Sequence, residues 1–597
     1  MADRWVGARA VVTAAFKADP WRSSAVTLLR IVQGVATPGY AVGLGILTEA
    51  VVQADRERAV MGLAIFVGLF IVQSWGSALR FPLDMQVRER TTHYIDEELV
   101  RLTATTPTLE HFERADYADK LQLLHQQRSA LASAPSAVIW LANGVIQLIT
   151  TVAILGRLDA PLLLLPLCGI PSAVISHRTS TSLEKLREDL AERGRIRRHL
   201  FQMATEAAPA KEIRVFGLQD EVIDHRDRIW KSMETDTLRV TIRYQLVAAI
   251  GWSVFAAGYV AALLLMVNRA SRGQATVGDV VVTVSLGAQV RGRVQQLTSM
   301  WQWLIESLKS ADRYAWLMAH HRTAVAATHP PEPKAVPERL TDGIRLEAVS
   351  FVYPGTDKPV LTTTDLHIPA GSIVAIVGDN GAGKSTLVKL LARYYDPTEG
   401  QITVDGVDLR DFDVDHWRHV LSAGFQDYAK FELMAAETVG IGDLSEADSP
   451  GAVDSALSRA AADGVLGELP AGGETLLGRS FEGGVELSGG QWQKLAIGRA
   501  MMRTEPLVLL LDEPTAALDP QTEHELFERY AAAARDAGVG RGAITLLVSH
   551  RFSTVRMADL IVVIADNGIA EVGTHAELVA QGGTYAELFE LQAASYR

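Results

Sequence analysis

Two short glycine-containing segments carry the residue types that chemistry on phosphate groups needs. The first is Gly378–Ser385, with the sequence Gly-Asp-Asn-Gly-Ala-Gly-Lys-Ser, and it fits the phosphate-loop pattern G-x-x-x-x-G-K-[ST]. The second is Leu487–Gln491, with the sequence Leu-Ser-Gly-Gly-Gln, whose serine and small, flexible glycines suit backbone contact with a second phosphate surface. Together they indicate a protein that binds a nucleotide.

The first segment stands where a phosphate loop must stand, between a strand and a helix. An apolar run at 373–377 predicts the strand, and a helical pattern begins at Thr386. The amides of the loop and the N-terminus of the helix would face the phosphates, Lys384 would neutralise the β and γ oxygens, and Ser385 would bind Mg²⁺. The residues predicted to bind nucleotide here are Gly378, Asn380, Gly381, Gly383, Lys384, Ser385 and Thr386.

Two adjacent carboxylates, Asp512 and Glu513, follow a run of apolar residues. A buried strand of that kind ends in the crevice at the carboxyl edge of a parallel sheet. Asp512 would bind Mg²⁺, and Glu513 would polarise the attacking water as a general base. A structural turn is the other interpretation of such a pair, and the phosphate loop ahead of it favours the catalytic one.

Three further residues complete the predicted nucleotide site, and each has a structural alternative. His550, at the end of a strand pattern, would contact the γ-phosphate or position the water; a histidine at a strand end is often structural. Gln426 would reach Mg²⁺, and the alternative is an exposed loop residue. Tyr353 would stack on adenine, and the alternative is an ordinary sheet aromatic.

Apolar runs at 373–377, 507–511, 544–548 and 560–564 alternate with helical patterns. Near-continuous apolar strands are typical of a buried, mostly parallel sheet. We therefore predict an α/β phosphate-loop NTPase domain over 341–597. A linker with four prolines is predicted before it, at 322–340.

The region before the linker predicts an all-α domain that spans a membrane, over 23–321. Six stretches approach the roughly 20 apolar residues that a span needs, at 25–52, 59–79, 134–156, 160–176, 246–268 and 280–303. The first carries Arg30 and Gln33, the fourth is short and the sixth is polar. The long gaps, 80–133 and 177–245, hold most of the basic residues, which places them and the NTPase domain in the cytoplasm.

Composition narrows the class of protein further. The chain has 597 residues, of which 48% are hydrophobic, and a net charge of −13 without a basic tract, so no nucleic-acid partner is expected. The single cysteine excludes an intrachain disulfide. Residues 1–22 lack the pattern of a cleavable signal peptide and indicate either an interfacial helix or a disordered start.

Two parts of the long cytoplasmic gaps could dock on the NTPase domain, because each places an aromatic residue among charges. They are 110–117, with Phe112 and Tyr117, and 211–217, with Glu212 and Arg214; solvated helical bends are the alternative. Arg291 and Arg293 lie in the sixth stretch and predict a polar translocation cavity that favours anionic groups. Alternatively, they lie at its cytoplasmic edge.

With these motifs in place, the chain resembles an ATP-binding-cassette (ABC) half-transporter of the exporter type. The most specific match is Leu487–Gln491, the signature of that family. The resemblance implies six long helices with cytoplasmic extensions, a cassette with a helical subdomain, ATP and Mg²⁺ as cofactors, and a second half-transporter, identical or different, as partner. It implies that His550 is the switch, that 516–519 crosses to the partner, and that the signature acts on the partner's nucleotide through Ser488, Gly489, Gly490 and Gln491.

The expected function is ATP-driven export of an amphipathic small molecule, lipid or peptide across the cell membrane, in a bacterium. An importer built on the exporter scaffold is the first alternative. A cassette protein without transport, either a soluble ATPase or an ATP-gated channel, is the second, and the apolar stretches argue against a soluble ATPase. The cargo is not predicted, because a fold of this kind serves many cargoes.

Overall fold

The computed structural model describes residues 9, 13–126, 128–514, 529, 540–549 and 551–595, and the chain forms two compact units. The helical unit comprises Met1–Thr103 and Lys120–Met318. The sheet unit comprises Ala104–Asp119 and Ala319–Arg597. A short segment from the first half of the sequence, Ala104–Asp119, thus belongs to the unit that carries the nucleotide motifs.

Long helices dominate the first half of the chain. In chain order they are α1 (Pro20–Val52), α2 (Arg56–Ala104), α3 (Glu110–Glu113), α4 (Ala115–Gln126), α5 (Arg128–Leu158), α6 (Ile170–Asp189), α7 (Ala191–Thr205), α8 (Ala207–Val215), α9 (Gln219–Ser271) and α10 (Val277–Thr328). Residues 13–18 are also helical, and residues 1–8 and 10–12 of the predicted interfacial helix at 1–22 lie outside the described residues.

Four of the helical segments are long and apolar enough to cross a membrane, and each contains one predicted span: Pro20–Val52, Arg56–Ala104, Leu131–Leu158 and Gln219–Ser271. The fourth predicted span, 160–176, consists of two 3₁₀ turns followed by the start of α6. Pro161, Pro166 and Pro171 explain this break, because proline cannot donate the helical backbone hydrogen bond. The sixth lies within α10, which is continuous but more polar.

The sheet unit contains two sheets. Its strands are β1 (Gly343–Val352), β2 (Pro359–Pro369), β3 (Ile373–Gly378), β4 (Glu399–Val404), β5 (Val407–Asp408), β6 (Leu421–Gly424), β7 (Val508–Asp512), β8 (Ile544–Val548), β9 (Leu560–Ala565) and β10 (Gly568–Gly573). One sheet has the order β2-β1-β4-β5, and the other has the order β10-β9-β3-β8-β7-β6. The predicted parallel sheet is confirmed, since the four predicted strands lie side by side as β9-β3-β8-β7.

The parallel strands are buried on both faces, which explains their apolar sequences. Val374, Ala375 and Ile376 of β3 are each 0% exposed, and all five residues of β8 are buried. In the parallel strands β3, β7, β8 and β9, a charged residue therefore appears only where a strand ends. The carboxyl ends of β3 and β7 bring the phosphate loop and Asp512 to the same edge of the sheet.

The remaining helices of the sheet unit are α11 (Lys384–Leu391), α12 (Val414–His419), α13 (Ala435–Gly440), α14 (Pro450–Arg459), α15 (Gly489–Ala500), α16 (Phe552–Val555), α17 (His575–Gln581) and α18 (Thr584–Ser595). Helices α13, α14 and α15 share a hydrophobic core that includes Val439, Leu457 and Leu495. This second core forms the helical subdomain.

The chain enters the sheet unit through α10, which continues to Thr328. From there to the start of β1 the chain is largely irregular, and Lys334 donates to Asp411 at 2.7 Å. The boundaries of the linker predicted at 322–340 remain a prediction.

Arg393 is buried where this entry meets the core of the sheet unit, with its side chain 0% exposed. Its guanidinium donates to the carbonyl oxygens of Phe412 at 2.7 Å and Ala327 at 3.4 Å, and to the Asp396 carboxylate at 3.2 Å. The buried charge is thus satisfied mainly by backbone carbonyls.

We expect the Arg393→Met variant to destabilise the sheet unit. Loss of the guanidinium leaves a buried carbonyl unsatisfied, at a cost of about 1–3 kcal/mol. Thermal unfolding of the purified protein should show a midpoint lowered by more than about 3 °C. The Arg345→Met variant is the control, because Arg345 is half-exposed and pairs with Asp342 three residues away. Equal midpoints for the two variants would contradict the assignment.

Candidate functional site

The phosphate loop follows β3 directly and turns into α11 with an unusual backbone. Gly378, Gly381 and Gly383 have φ values of +150°, +83° and +108°, which disfavour residues with a Cβ atom. A Cβ at position 378 would lie 2.2 Å from the carbonyl oxygen of Ile564 on β9. The glycines at both ends of the loop are therefore required by its geometry, and the loop amides stand at the N-terminus of α11.

Lys384 closes this loop on itself. Its Nζ donates to the carbonyl oxygens of Gly378 and Asp379, both at 2.8 Å. The side chain is buried, and burial lowers the pKa of the ammonium group, while Glu513, Asp512 and Asp379 oppose that shift. A partly desolvated cation in the loop is suited to bind phosphate oxygens.

Asp512 ends β7 beside Lys384 and Ser385. It is 6% exposed, and its Oδ1 atom has no hydrogen-bond partner among the described residues. Burial raises the pKa of Asp512, and a hydrogen bond from Ser385 and the charge of Lys384 oppose that shift. A buried carboxylate oxygen without a partner, next to a serine hydroxyl, fits a divalent cation that prefers oxygen ligands.

Glu513 occupies the turn after β7 and points its carboxylate into the site. Its φ of +46° is in the left-handed region, and its amide donates to Val548 of β8 at 3.0 Å. A non-glycine residue held there costs of order 1 kcal/mol, a strain often seen at functional sites. The side chain amide of Gln426 donates to Glu513 Oε2 at 2.9 Å, which fixes the direction of the carboxylate.

Tyr353 lies at the other end of the site, just after β1. Its hydroxyl is 3.0 Å from the Thr386 hydroxyl, and its ring packs edge-to-face against Phe351 and Tyr395. The ammonium of Lys389 lies 5.4 Å from the ring centroid. The ring is thus held from several sides and remains half-buried beside the phosphate loop.

A cavity of about 730 Å³ joins these residues. It is lined by Tyr353, Val360, Asn380, Gly381, Gly383, Lys384, Ser385, Thr386, Gln426 and Glu513. The structure therefore brings together most of the residues that the sequence predicts for nucleotide. His550 and residues 516–519 lie outside the described residues, so their roles remain predictions.

The signature residues are not among those that line this cavity. Ser488 caps the N-terminus of α15: the Gln491 amide donates to its hydroxyl at 3.2 Å, and the Gln491 side chain accepts from the Ser488 amide at 3.0 Å. Gln491 also donates to Glu468 at 2.9 Å. Ser488 and Gly489 remain exposed, so this helix N-terminus is open to an anion supplied from elsewhere.

The segment Ala104–Asp119 binds close to the nucleotide cavity. Glu113 accepts hydrogen bonds from Lys389 Nζ and the Tyr395 hydroxyl, both at 2.6 Å. Arg418 donates to the carbonyl oxygen of Pro107 at 2.7 Å, and Leu109 packs against the core of the sheet unit. Three types of contact, ionic, backbone and apolar, hold the segment in place.

The predicted docking residues differ in their surroundings. Phe112 is 55% exposed, whereas Tyr117 packs against His320 and lies 4.2 Å below the Arg114 guanidinium. Glu212 and Arg214 lie on α8 of the helical unit and are exposed. The hydrogen bonds to Lys389 and Tyr395 come instead from Glu113, which is not among the residues predicted to dock. Its position next to Phe112 was the only signal available.

Arg291 and Arg293 lie on the first half of α10. Arg291 is exposed and its guanidinium lies 4.9 Å from the Trp252 ring. Arg293 is half-buried and donates to Gln296 at 3.1 Å. Arg291 lies about 21 Å from the start of α10, at a rise of 1.5 Å per residue. The translocation cavity and the cytoplasmic edge of the span both stay predictions for these two residues.

Known proteins resemble this chain in both halves. The family model described as ABC transporter transmembrane region matches residues 24–294, and the model described as ABC transporter matches residues 361–516. An ATP-dependent lipid A-core flippase of Aromatoleum aromaticum is 35% identical over 332 residues, or 56% of this chain and 52% of that protein. The mitochondrial iron-sulfur clusters transporter atm1 of Aspergillus fumigatus is 31% identical over 380 residues, or 64% of this chain and 50% of that protein.

The matched regions thus span about half the length of these relatives. Among solved structures, a bacterial Atm1-family ABC exporter with ATP bound superposes with a TM-score of 0.77, over 96% of this chain and 99% of that one. The two sequences are 24% identical, so this likeness concerns the fold.

We expect the Glu513→Gln variant to keep ATP binding and to lose ATP hydrolysis. The amide preserves the hydrogen bond with Gln426 but cannot accept a proton from water, and a general base contributes about 10²–10⁴-fold. Phosphate release and binding of a fluorescent ATP analogue should be measured on the same preparation. Glu590→Gln, at an exposed carboxylate on α18, is the control. A variant with more than about a tenth of the wild-type rate would refute the base assignment.

Proposed function

This chain belongs to the ABC transporter family, and on that premise we propose that it is an exporter half-transporter. It uses ATP hydrolysis to move an amphipathic small molecule, lipid or peptide across the cell membrane. The supporting observation is the single cavity that joins Lys384, Ser385, Gln426 and Glu513 in a chain with four candidate membrane spans. The names of the relatives, a flippase and an exporter among them, favour export over import.

In this proposal, the residues of the cavity divide the work between them. Tyr353 stacks on adenine, the loop amides and Lys384 bind the β- and γ-phosphates, and Glu513 accepts a proton from the attacking water. The hydrogen bond from Gln426 fixes the orientation of the Glu513 carboxylate. Catalysis then rests on positioning and on stabilisation of charge, as in phosphoryl transfer generally.

Ser385, Asp512 and Gln426 are the residues that would hold Mg²⁺. The buried Oδ1 of Asp512 offers a free acceptor, and the Ser385 hydroxyl beside it supplies a second oxygen. When bound, the ion supplies positive charge that neutralises the phosphate oxygens. The chain's own contribution is the set of oxygen ligands and the partly desolvated site around them.

We assign the exposed N-terminus of α15 to a neighbour's nucleotide. Ser488, Gly489, Gly490 and Gln491 do not line the cavity of their own chain. The capping bonds occupy the amides of Ser488 and Gln491 and fix the helix end, so the amides of Gly489 and Gly490 would face the anion. A complete site then needs a second half-transporter, identical or different. The protein works as a dimer with multi-pass membrane domains and cytoplasmic cassettes.

Coupling between hydrolysis and transport runs through the segment Ala104–Asp119. Glu113 binds Lys389, which lies on the same helix as Lys384 of the phosphate loop. Tyr395, the second donor to Glu113, packs against the adenine-facing ring of Tyr353. A shift of α11 or Tyr353 upon nucleotide binding is therefore passed to the end of α2. Glu212 and Arg214 on exposed α8 serve as the second docking element.

The transport proposal is tested with protein in liposomes that contain a phospholipid with a fluorescent, dithionite-quenchable headgroup. Added ATP reaches only the transporters whose cassettes face the outside of the liposome. Export by these molecules moves the fluorescent lipid from the outer to the inner leaflet, so the fraction of lipid protected from dithionite rises. Lys384→Ala should abolish this gain. An ATP-dependent loss of protection would instead indicate import. ATP-gated ionic current without any change in protection would indicate a channel.

We expect the Glu113→Gln variant to hydrolyse ATP but to transport less per ATP. The amide loses the charge that pairs with Lys389, a loss of ~1 kcal/mol or about fivefold for a half-exposed charged hydrogen bond. The ratio of probe moved to phosphate released is the measurement. Asp116→Asn is the matched control, because Asp116 pairs with Arg114 inside the segment itself. A ratio equal to that of the wild type would exclude Glu113 from coupling.

A further inference from the structure

A cluster of charged residues joins three helices of the helical unit that contain candidate membrane spans, and its members on α2 directly follow the span predicted at 59–79. Arg30 comes from α1, Arg80 and Asp84 come from α2, and Trp140 comes from α5. The Arg30 guanidinium lies 4.2 Å from the Trp140 ring centroid, and that of Arg80 lies 5.5 Å from it. Arg30 is 3% exposed, which is rare for an arginine in a segment of this kind.

In this cluster, some N–H groups of the arginines have no acceptor among the described residues. Nη2 of Arg30 donates to both oxygens of Asp84 at 2.8 Å, and Nη1 of Arg80 donates to Asp84 Oδ2 at 2.7 Å. Nε of Arg80 donates to Gln33 at 3.1 Å. Nε of Arg30 is buried without a partner among the described residues. A buried donor that is left unsatisfied requires an explanation.

The cluster also carries a net positive charge. Two guanidinium groups share one carboxylate, and in the described part of the chain Asp84 and Arg80 are the charged groups found close to Arg30. A positive charge in excess is unfavourable away from water, and such residues normally pair with an opposite charge or mark a binding site. An anion is therefore the missing component.

We propose that Arg30, Arg80 and Trp140 form a binding site for the anionic headgroup of an amphiphile, such as a phosphate or carboxylate at the end of an apolar chain. This rests on the proposed function, whose substrate class it narrows to anionic amphiphiles. The phosphate oxygens accept from Nη2 of Arg80, whose side chain is 18% exposed, and the buried Arg30 guanidinium adds positive charge behind it. Asp84 competes with them for the guanidinium groups.

The surroundings favour an amphiphile over a free inorganic anion. Arg80 and Asp84 are partly open, with side chains 18% and 22% exposed, and Trp140 is half-buried. In the sequence, Arg80 is flanked by Leu79 and Phe81, whose side chains are 57% and 73% exposed. These apolar groups, on a helix that can span a membrane, suit the apolar chain of the same ligand.

Native mass spectrometry of the full-length protein in detergent measures this binding directly. The probes are dioleoyl phosphatidic acid, dioleoyl phosphatidylcholine with the same chains, and inorganic phosphate. Arg30 is too deeply buried for a clean substitution, so the variants are Arg80→Gln and Asp84→Asn. Arg88→Gln is the matched control, because Arg88 is an exposed arginine further along α2.

For the wild type we expect phosphatidic acid to bind about tenfold more tightly than phosphatidylcholine, the scale of a charged hydrogen bond. Arg80→Gln should remove that preference, Asp84→Asn should increase it because the competing carboxylate is gone, and Arg88→Gln should leave it unchanged. Equal affinities in the wild type and Arg80→Gln would show that the cluster only ties α1 to α2, and would overturn the proposal.

Two further results separate the possible failures. Displacement of phosphatidic acid by millimolar inorganic phosphate would overturn the assignment to an amphiphile and indicate a free anion. ATP hydrolysis is measured on the same wild-type preparation. Its absence would refute the proposed function while the binding data still decide the headgroup site, and normal hydrolysis without a headgroup preference would refute the headgroup site alone.

Discussion

The bond that Lys384 makes back to its own loop is the interaction on which the nucleotide site depends. Burial of the Lys384 ammonium is tolerated because it donates hydrogen bonds to the carbonyl oxygens of Gly378 and Asp379, each at 2.8 Å, in place of bonds to water. These bonds join the end of β3 to the start of α11 and fix the loop between them. The parallel strand order then brings Asp512 and Glu513 to the same edge, where their negative charges balance the cation. Without the buried strands, neither carboxylate would meet the loop.

Helix α11 explains how a site of this kind can act at a distance. It is eight residues long, with Lys384 at one end and Lys389 near the other. The first lysine holds the phosphate loop, and the second binds Glu113 of the segment that follows α2. In the proposed function, this short helix would transmit a displacement of the phosphate loop to Glu113, because its backbone hydrogen bonds resist bending. Glu113 and Lys389 are 276 residues apart in sequence.

The local features of the fold were predictable from the sequence, and the long-range pairs were not. The phosphate loop, the apolar strands and four of the spans can be recognised within windows of about 20 residues, because periodicity and hydropathy are local signals. The fourth predicted span is not a long apolar helix, because its prolines interrupt the helix. The sixth predicted span has a weaker apolar signal, because α10 carries polar residues along much of its length. Glu113 and Asp84 each find their partners only when the chain is folded. A single sequence contains no trace of such pairs beyond the residue types.

Buried arginines have different meanings in the two units. In the sheet unit, the buried Arg393 and the half-buried Arg418 donate to carbonyl oxygens of loops and helix ends, such as those of Phe412 and Pro107. A helix that crosses a membrane offers few such acceptors, because most of its carbonyl oxygens already accept bonds within the helix. Arg30 must therefore rely on side chains, and Asp84 supplies one carboxylate for two guanidinium groups. An unsatisfied donor is thus a stronger sign of a ligand in the helical unit than it would be in the sheet unit.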